Sequence, residues 1–252
     1  MKAIIFAAGL GTRLKDITNE KPKALVEVNG VSLLEIAIRK LKYFGFKDII
    51  INVHHFSEQI ETFVKNLRYN DLRITVSDES FKLLGTGGGI KKAAGFFSGE
   101  EAFLAYNVDV ITDLDPGELY RKHITSGALA TLAVRKRDTS RYLLVDDQNI
   151  LCGWCNVKTG ERIISREKPE ELTSVAFSGI HIISTQLPGL ITEDGYCNII
   201  DVYLRLASDN DILTIEHDSG FWFDVGTPEQ VKEISIFLEK NKDILPPELF
   251  DS

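Results

Sequence analysis

The N-terminal stretch MKAIIFAAGLGTRLKDITNEKPKAL, residues 1–25, decides the fold. Lys2 to Ala7 is a short, almost purely apolar run, the pattern of a strand buried on both faces of a parallel sheet. It opens into Ala8-Gly9-Leu10-Gly11-Thr12-Arg13, and Lys21-Pro22-Lys23 follows soon after. Two glycines let a backbone turn tightly and approach a bulky anion, because no Cβ stands in the way. A threonine hydroxyl and two or three cationic side chains nearby suit an oligophosphate. The stretch lacks the Gly-Lys-Ser/Thr ending of the NTPase P-loop, and Leu14 stands where the dinucleotide fingerprint needs its third glycine.

Downstream the pattern alternates between strand and helix. Val26 to Val28 is a brief extended piece and Asn29-Gly30 a turn. Ser32 and Glu35 form a capping box ahead of apolar residues at helical spacing, and Gly45 ends that helix. Ile49 to Val53 predicts a second buried strand, and Ser57 caps a helix to about Asn66 with Ile60, Phe63 and Val64 on one face. Leu72, Ile74 and Val76 alternate as a third strand. Gly85-Thr86-Gly87-Gly88-Gly89 opens a helix to about Phe97, and Phe103 to Tyr106 is a fourth strand ending in Asn107-Val108-Asp109. A helix from Pro116 to about Ser126 and a strand from Ala128 to Val134 come next.

Tyr142 to Ile164 reads as antiparallel hairpins, then Val175 to Ile183 as a strand, Asn198 to Ala207 as a helix and Ile212 to Glu216 as a strand. Thr227 and Gln230 form a second capping box with Pro228 at the first helical position. This alternation predicts an α/β fold with a doubly wound, mostly parallel central sheet, Rossmann-like, carrying a small antiparallel insertion. A single domain over 1–252 is expected, with the insertion at about 140–175 and a C-terminal helix at about 228–241. Ligands of such sheets bind beyond the carboxyl ends of the strands. The Gly9–Arg13 loop, the Gly85–Gly89 run and Asp109 all fall at such ends.

Composition narrows the class. With 29 basic and 37 acidic residues the formal charge is −8, and no long basic run is present, so nucleic acid and anionic membranes are not expected partners. No apolar stretch approaches a membrane span, and the N-terminus lacks a signal-peptide pattern. Three cysteines give no disulfide framework, and Cys152-Gly153-Trp154-Cys155 sits in a strand-like stretch, so the expected setting is the cytoplasm. His54-His55 and His181 come without metal-ligand spacing and read as core or surface residues. Asp113-Leu114-Asp115 reads either as the Asp-x-Asp of a metal-dependent glycosyltransferase or as a helix cap through Asp115; its distance from the strand end and the Pro116 that follows favour the cap. Asp109 ends a buried strand, and a carboxylate there calls for a cation; a metal is its natural partner.

Gly9-Leu10-Gly11-Thr12-Arg13-Leu14 followed by Pro22-Lys23-Ala24-Leu25 resembles the signature of the sugar-nucleotide pyrophosphorylases, the NDP-sugar nucleotidyltransferases. Trp222-Phe223-Asp224-Val225-Gly226-Thr227 resembles their C-terminal Trp-x-Asp-x-Gly-Thr element, and the Thr-Gly-Gly-Gly run at 86–89 is most similar to the N-acetylmuramate-1-phosphate uridylyltransferase and mannose-1-phosphate guanylyltransferase branch. The resemblance implies a GT-A-like nucleotidyltransferase fold, with an NTP and a sugar 1-phosphate as substrates and Mg²⁺ as cofactor. It implies Arg13 and Lys23 as catalytic, Asp109 and Asp224 as metal ligands, and Ala8, Gly9, Gly11 and Thr12 as a phosphate cradle. It further implies Glu79, Thr86, Gly87 and Gly88 on the nucleotide, and Asn107, Glu167, Lys168 and Gly179 on the sugar phosphate.

The implied reaction is attack of the sugar-1-phosphate oxygen on the α-phosphorus, giving an NDP-sugar and pyrophosphate for envelope or glycan precursors. UTP with N-acetylmuramate 1-phosphate, or GTP with mannose or heptose 1-phosphate, are the pairings expected. Val108 and Gly85 depart from the family pattern, which leaves base and sugar open. A monomer or small homo-oligomer is expected. A metal-dependent glycosyltransferase and a non-catalytic nucleotide-sugar sensor share the sheet. The Arg13/Lys23 pair argues against the first, and the intact set of charged residues against the second.

Overall fold

A computed structural model describes residues 1–9, 11–167, 171–241 and 244–249 of the chain. The described residues form two compact units: one made of 1–83, 106–115 and the chain from 220 onward, the other of 84–105 and 116–219. Strand β1 (Lys2–Phe6) leads into short 3₁₀ turns at Thr12–Thr18 and Lys23–Leu25, then a two-residue ribbon of β2 (Glu27–Val28) and β3 (Val31–Ser32). Helix α1 (Leu33–Tyr43), β4 (Asp48–Val53), α2 (Ser57–Asn66) and β5 (Arg73–Asp78) complete the N-terminal run of the first unit. The next elements are α3 (Gly85–Ala93), β6 (Ala102–Asn107), β7 (Val110–Thr112) and α4 (Pro116–Ser126). Strands β8 (Ala130–Arg135), β9 (Arg141–Val145), β10 (Leu151–Asn156), β11 (Glu161–Ile164) and β12 (Thr173–Ser184) follow. The chain closes with α5 (Ile199–Leu206), β13 (Ile212–Glu216), β14 (Trp222–Asp224) and α6 (Pro228–Lys240).

The architecture is α/β, a mixed central sheet flanked by helices. In the first unit β1, β4 and β5 are parallel, with Ile4 opposite Ile50 and Ile51 opposite Val76. The apolar runs of β1 and β4 are buried on both faces, with Ile4, Ile5, Ile49 and Ile51 fully enclosed, whereas the edge strand β5 alternates half-buried Ile74 and Val76 with exposed residues. Helix α1 turns Leu34, Ile38 and Leu41 inward. Ser32 accepts the Glu35 amide at 3.2 Å, the expected cap. Helix α2 differs from expectation. Ser57 is its first residue; the cap position is Phe56, held left-handed at φ 56° without a side-chain cap bond, and only Ile60 is buried.

In the second unit β8 runs parallel to β13 and antiparallel to β12, and β12, β9, β10 and β11 continue as an antiparallel sheet. The expected hairpin insertion corresponds to β9–β11. Two buried histidines serve this core: His181 Nδ1 lies 2.6 Å from the Tyr203 hydroxyl, and His123 Nδ1 2.8 Å from Thr131 Oγ1. Burial pushes both imidazoles down, His181 to about 3 and His123 to about 4, so each stays neutral.

Candidate active site

The site of the first unit is built by three short pieces of backbone. Beyond β1, Gly11 adopts φ +65° and its carbonyl accepts from Thr18 Oγ1 at 3.0 Å. A Cβ at Gly11 would stand 3.0 Å from Lys23 Cβ and from Thr18 Cγ2, so glycine here is required by both conformation and space. Leu14 is fully buried and its amide bonds to the Gly11 carbonyl at 2.9 Å, which anchors the loop and leaves Gly9, Thr12 and Arg13 exposed. Pro22, extended at φ −65°, starts the tight turn that carries Lys23.

The third piece is the antiparallel ribbon β7/β14, too short for periodicity to reveal. Asp224 pairs with Val110, and the Val225 amide donates to the Asp109 carbonyl at 2.8 Å, so the two aspartates emerge side by side. The buried Tyr106 hydroxyl donates to the Val110 carbonyl at 2.8 Å. Burial, with the charge of Asp109 adding to it, holds that phenol well above its usual range.

Four charged groups meet here. Lys23 Nζ, itself nearly buried, donates to Asp109 Oδ2 and lies 4.0 Å from Asp224 Oδ1. Arg13 NH2 lies 3.6 Å from Asp224 Oδ2. The guanidinium rests on Gly226, where a Cβ would come within 2.5 Å of it. Burial and the neighbouring Asp109 carboxylate raise the Asp224 carboxyl, against the pull of Lys23 and Arg13. Asp224 Oδ1 is buried and accepts no hydrogen bond among the described residues.

A pair of adjacent carboxylates, one with a raised proton affinity and a buried orphan oxygen, fits a divalent cation. Among the described residues no three His, Cys, Asp or Glu side chains gather as a ligand set. Asp109 and Asp224 would thus supply two ligands, leaving the remainder to water and phosphate oxygens, as Mg²⁺ commonly accepts.

The first unit also holds Glu79, buried at the end of β5. Asn52 links it to the end of β1: its Oδ1 accepts the Ala7 amide at 2.9 Å and its Nδ2 donates to Glu79 Oε1 at 3.1 Å. Asn52, a lone amide in the run Ile49–Val53, was readable as an oddity of that strand. Asn107 is half-buried at the end of β6.

The remaining expected residues belong to the second unit. Thr86 Oγ1 accepts the Ile199 amide at 2.9 Å, and the Gly87 amide donates to the Cys197 carbonyl at 3.0 Å. A Cβ at Gly87 would meet Cys197 Sγ at 2.7 Å, and one at Gly88 the Gly195 carbonyl at 2.6 Å. These glycines therefore let α3 pack directly on the 195–198 backbone. Gly179, at φ +79°, lies where the pairing of β12 with β8 shifts register, beside Ser178, whose Oγ is 2.7 Å from His217 Nε2. Glu167 is exposed, and Lys168 lies outside the described residues.

The family model described as Nucleotidyl transferase matches residues 2–241. An N-acetylmuramate alpha-1-phosphate uridylyltransferase of Caulobacter vibrioides is 29% identical over 238 residues, covering 90% of this chain and 92% of its own. A mannose-1-phosphate guanyltransferase of Yarrowia lipolytica is 30% identical over 258 residues, 98% of this chain and 68% of its own. The solved UDP-glucose pyrophosphorylase of Acinetobacter baumanii superposes with a TM-score of 0.78 at 15% identity, over 96% of this chain and 94% of that one, a likeness of fold.

Proposed function

Because the chain belongs to the nucleotidyl transferase family, we propose that it condenses an NTP with a sugar 1-phosphate to give an NDP-sugar and pyrophosphate. The observation that carries this reading is the crossed set of charges, Lys23 on Asp109 and Arg13 on Asp224. Two cationic side chains suit a triphosphate and a sugar phosphate, and two adjacent carboxylates suit a divalent cation.

The attacking sugar-phosphate oxygen is already an anion, so no general base is needed. The protein's work is to align two anions and offset their repulsion. The backbone of Gly9, Gly11 and Thr12 cradles the phosphates, with Ala8 at its start. Arg13 leaves Asp224 to take the triphosphate. Lys23, in reach of both aspartates, bridges the α-phosphate and the sugar phosphate. Asp109 and Asp224 would hold Mg²⁺, which would supply positive charge against the repulsion of the phosphates. Glu79, tied through Asn52 to the Ala7 backbone, is assigned to the nucleotide, as are Thr86, Gly87 and Gly88 of the second unit. Asn107, Glu167, Lys168 and Gly179 take the sugar phosphate.

UTP with N-acetylmuramate 1-phosphate is the first pairing, supported by the extent of the match to the Caulobacter relative; GTP with mannose or heptose 1-phosphate is the second. The free thiols of Cys152, Cys155 and Cys197 support a cytoplasmic setting. No helix among the described residues is long and apolar enough to cross a membrane.

The test is pyrophosphate release with Mg²⁺ across UTP, GTP, CTP and dTTP against N-acetylmuramate, mannose, heptose and glucose 1-phosphates. Release in one pairing, lost in Asp109→Ala, is expected. No release in any pairing by folded protein would refute the reading.

A further inference from the structure

Lys40 has no part in the reaction above, yet it is the most deeply enclosed lysine among the described residues, 2% exposed on α1. It sits one helical turn beyond Ile36, next to Leu41, on the buried face. An apolar side chain would fill that position without removing an ammonium from water, so the charge is retained against a cost. Its Nζ donates to the Thr112 carbonyl at 2.6 Å.

Thr112 is the outer end of the β7/β14 ribbon, paired with Trp222. Its hydroxyl donates to the Phe221 carbonyl at 2.6 Å and accepts the Leu114 amide at 3.2 Å. Asp113 fits against Gly220 so tightly that a Cβ there would fall 2.1 Å from Asp113 Oδ1. The inner end of the same ribbon carries Asp109 and Asp224. Lys40 and the carboxylate pair thus hold opposite ends of a ribbon only three residues long.

We propose that Lys40 is a positioning residue for the carboxylate pair: its bond to Thr112 fixes where the ribbon lies on α1, and so how well Asp109 and Asp224 together hold a divalent cation. The inference rests on the reading of that pair as a cation site. The charged groups facing Lys40 are Asp113 and Asp115, which favour the ammonium, and the Phe44 ring lies 5.4 Å from Nζ. Burial outweighs both carboxylates and pushes the lysine down to about 8, so the pin weakens as pH rises past that value.

The experiment is Mn²⁺ binding to the full chain, followed by electron paramagnetic resonance at pH 7 and pH 9, for the parent, Lys40→Met and Lys40→Arg, each first checked for a cooperative thermal transition. The parent should bind several-fold more weakly at pH 9. Lys40→Met should bind at least about 5-fold more weakly at pH 7, a loss near 1 kcal/mol, with the pH dependence gone. Lys40→Arg, charged at both pH values, should bind without pH dependence and more tightly than Lys40→Met. Parental affinity in Lys40→Met, or a parent indifferent to pH, overturns the proposal; the parent's pH profile decides it if neither variant folds. Absence of Mn²⁺ binding by the parent itself would instead refute the cation-site reading on which the proposal rests.

Discussion

Asp224 is held in a conflict that its function explains. Its carboxyl is raised by burial and by Asp109, so ionising it costs more in the folded chain than in the unfolded one. Asp224→Asn should therefore stabilise the protein by about 0.5–1 kcal/mol, the small figure reflecting a side chain still 32% exposed, while lowering turnover at least about 100-fold. Thermal melting and pyrophosphate release check the two halves; a variant that melts below the parent contradicts the assignment. Lys23→Ala should behave oppositely in stability, because it leaves Asp109 and Asp224 facing each other without their shared cation. Turnover should fall about 100- to 1000-fold, and adding Asp224→Asn should recover melting temperature but no activity.

At this scale the sequence is most informative where chemistry and backbone coincide. Lys23 follows a proline beyond a glycine loop, and Asp109 and Asp224 stand at the ends of apolar runs. Lys40 shows as a lysine on an apolar helix face, but what holds it there, the carbonyl of Thr112, is 72 residues away in the chain and has no local signature.

Among the elements, helix α3 is the one whose reading changes most. Its glycine run suggests a nucleotide, and in the structure the same glycines also allow contact with the 195–198 backbone. Gly88→Ala should destabilise the substrate-free protein by about 1–3 kcal/mol, since the new Cβ meets a backbone carbonyl that cannot step aside. Chemical denaturation without nucleotide measures it; an unchanged midpoint would remove the packing role. Helices α1 and α6 were legible from caps and spacing, and Thr227 accepts the Gln230 amide at 3.3 Å as the sequence implies. The partner of Gln230 differs: its Oε1 accepts the Gly226 amide at 3.0 Å, stiffening the turn on which Arg13 rests. Strands β7 and β14 went unread in the sequence as a pair because three residues are too few for alternation to register. The left-handed Phe56 shows the limit of propensity, where Ser57 reads as the cap and the backbone begins the helix one residue earlier.

For the molecule as a whole, alternation of strand and helix made the α/β class legible, and the turn-rich stretch 142–164 marked the antiparallel strands. The two compact units were not legible. Strand β6 contributes to both, and no change of composition accompanies the passage from one to the other. The buried histidines contribute to the acid response of this whole. His123 and His181 are neutral when folded and titrate near 6.5 when unfolded, so the unfolded chain binds more protons below that pH. Stability is fully present above about pH 6.5 and is lost as pH falls toward 4 and then 3. Denaturation between pH 7 and 4.5 should show uptake of about two protons on unfolding from this source, reduced by about one in His123→Gln. A flat profile would mean that these imidazoles meet water when folded.

The measurement that bears most directly on the account is ³¹P nuclear magnetic resonance of the purified chain with Mg²⁺, UTP and N-acetylmuramate 1-phosphate, repeated with GTP and mannose 1-phosphate, beside Asp224→Asn. The account predicts growth of a pyrophosphate signal together with the paired diester resonances of an NDP-sugar, absent from the variant. Nucleoside diphosphate released from a supplied NDP-sugar, with no pyrophosphate from any NTP, would contradict it.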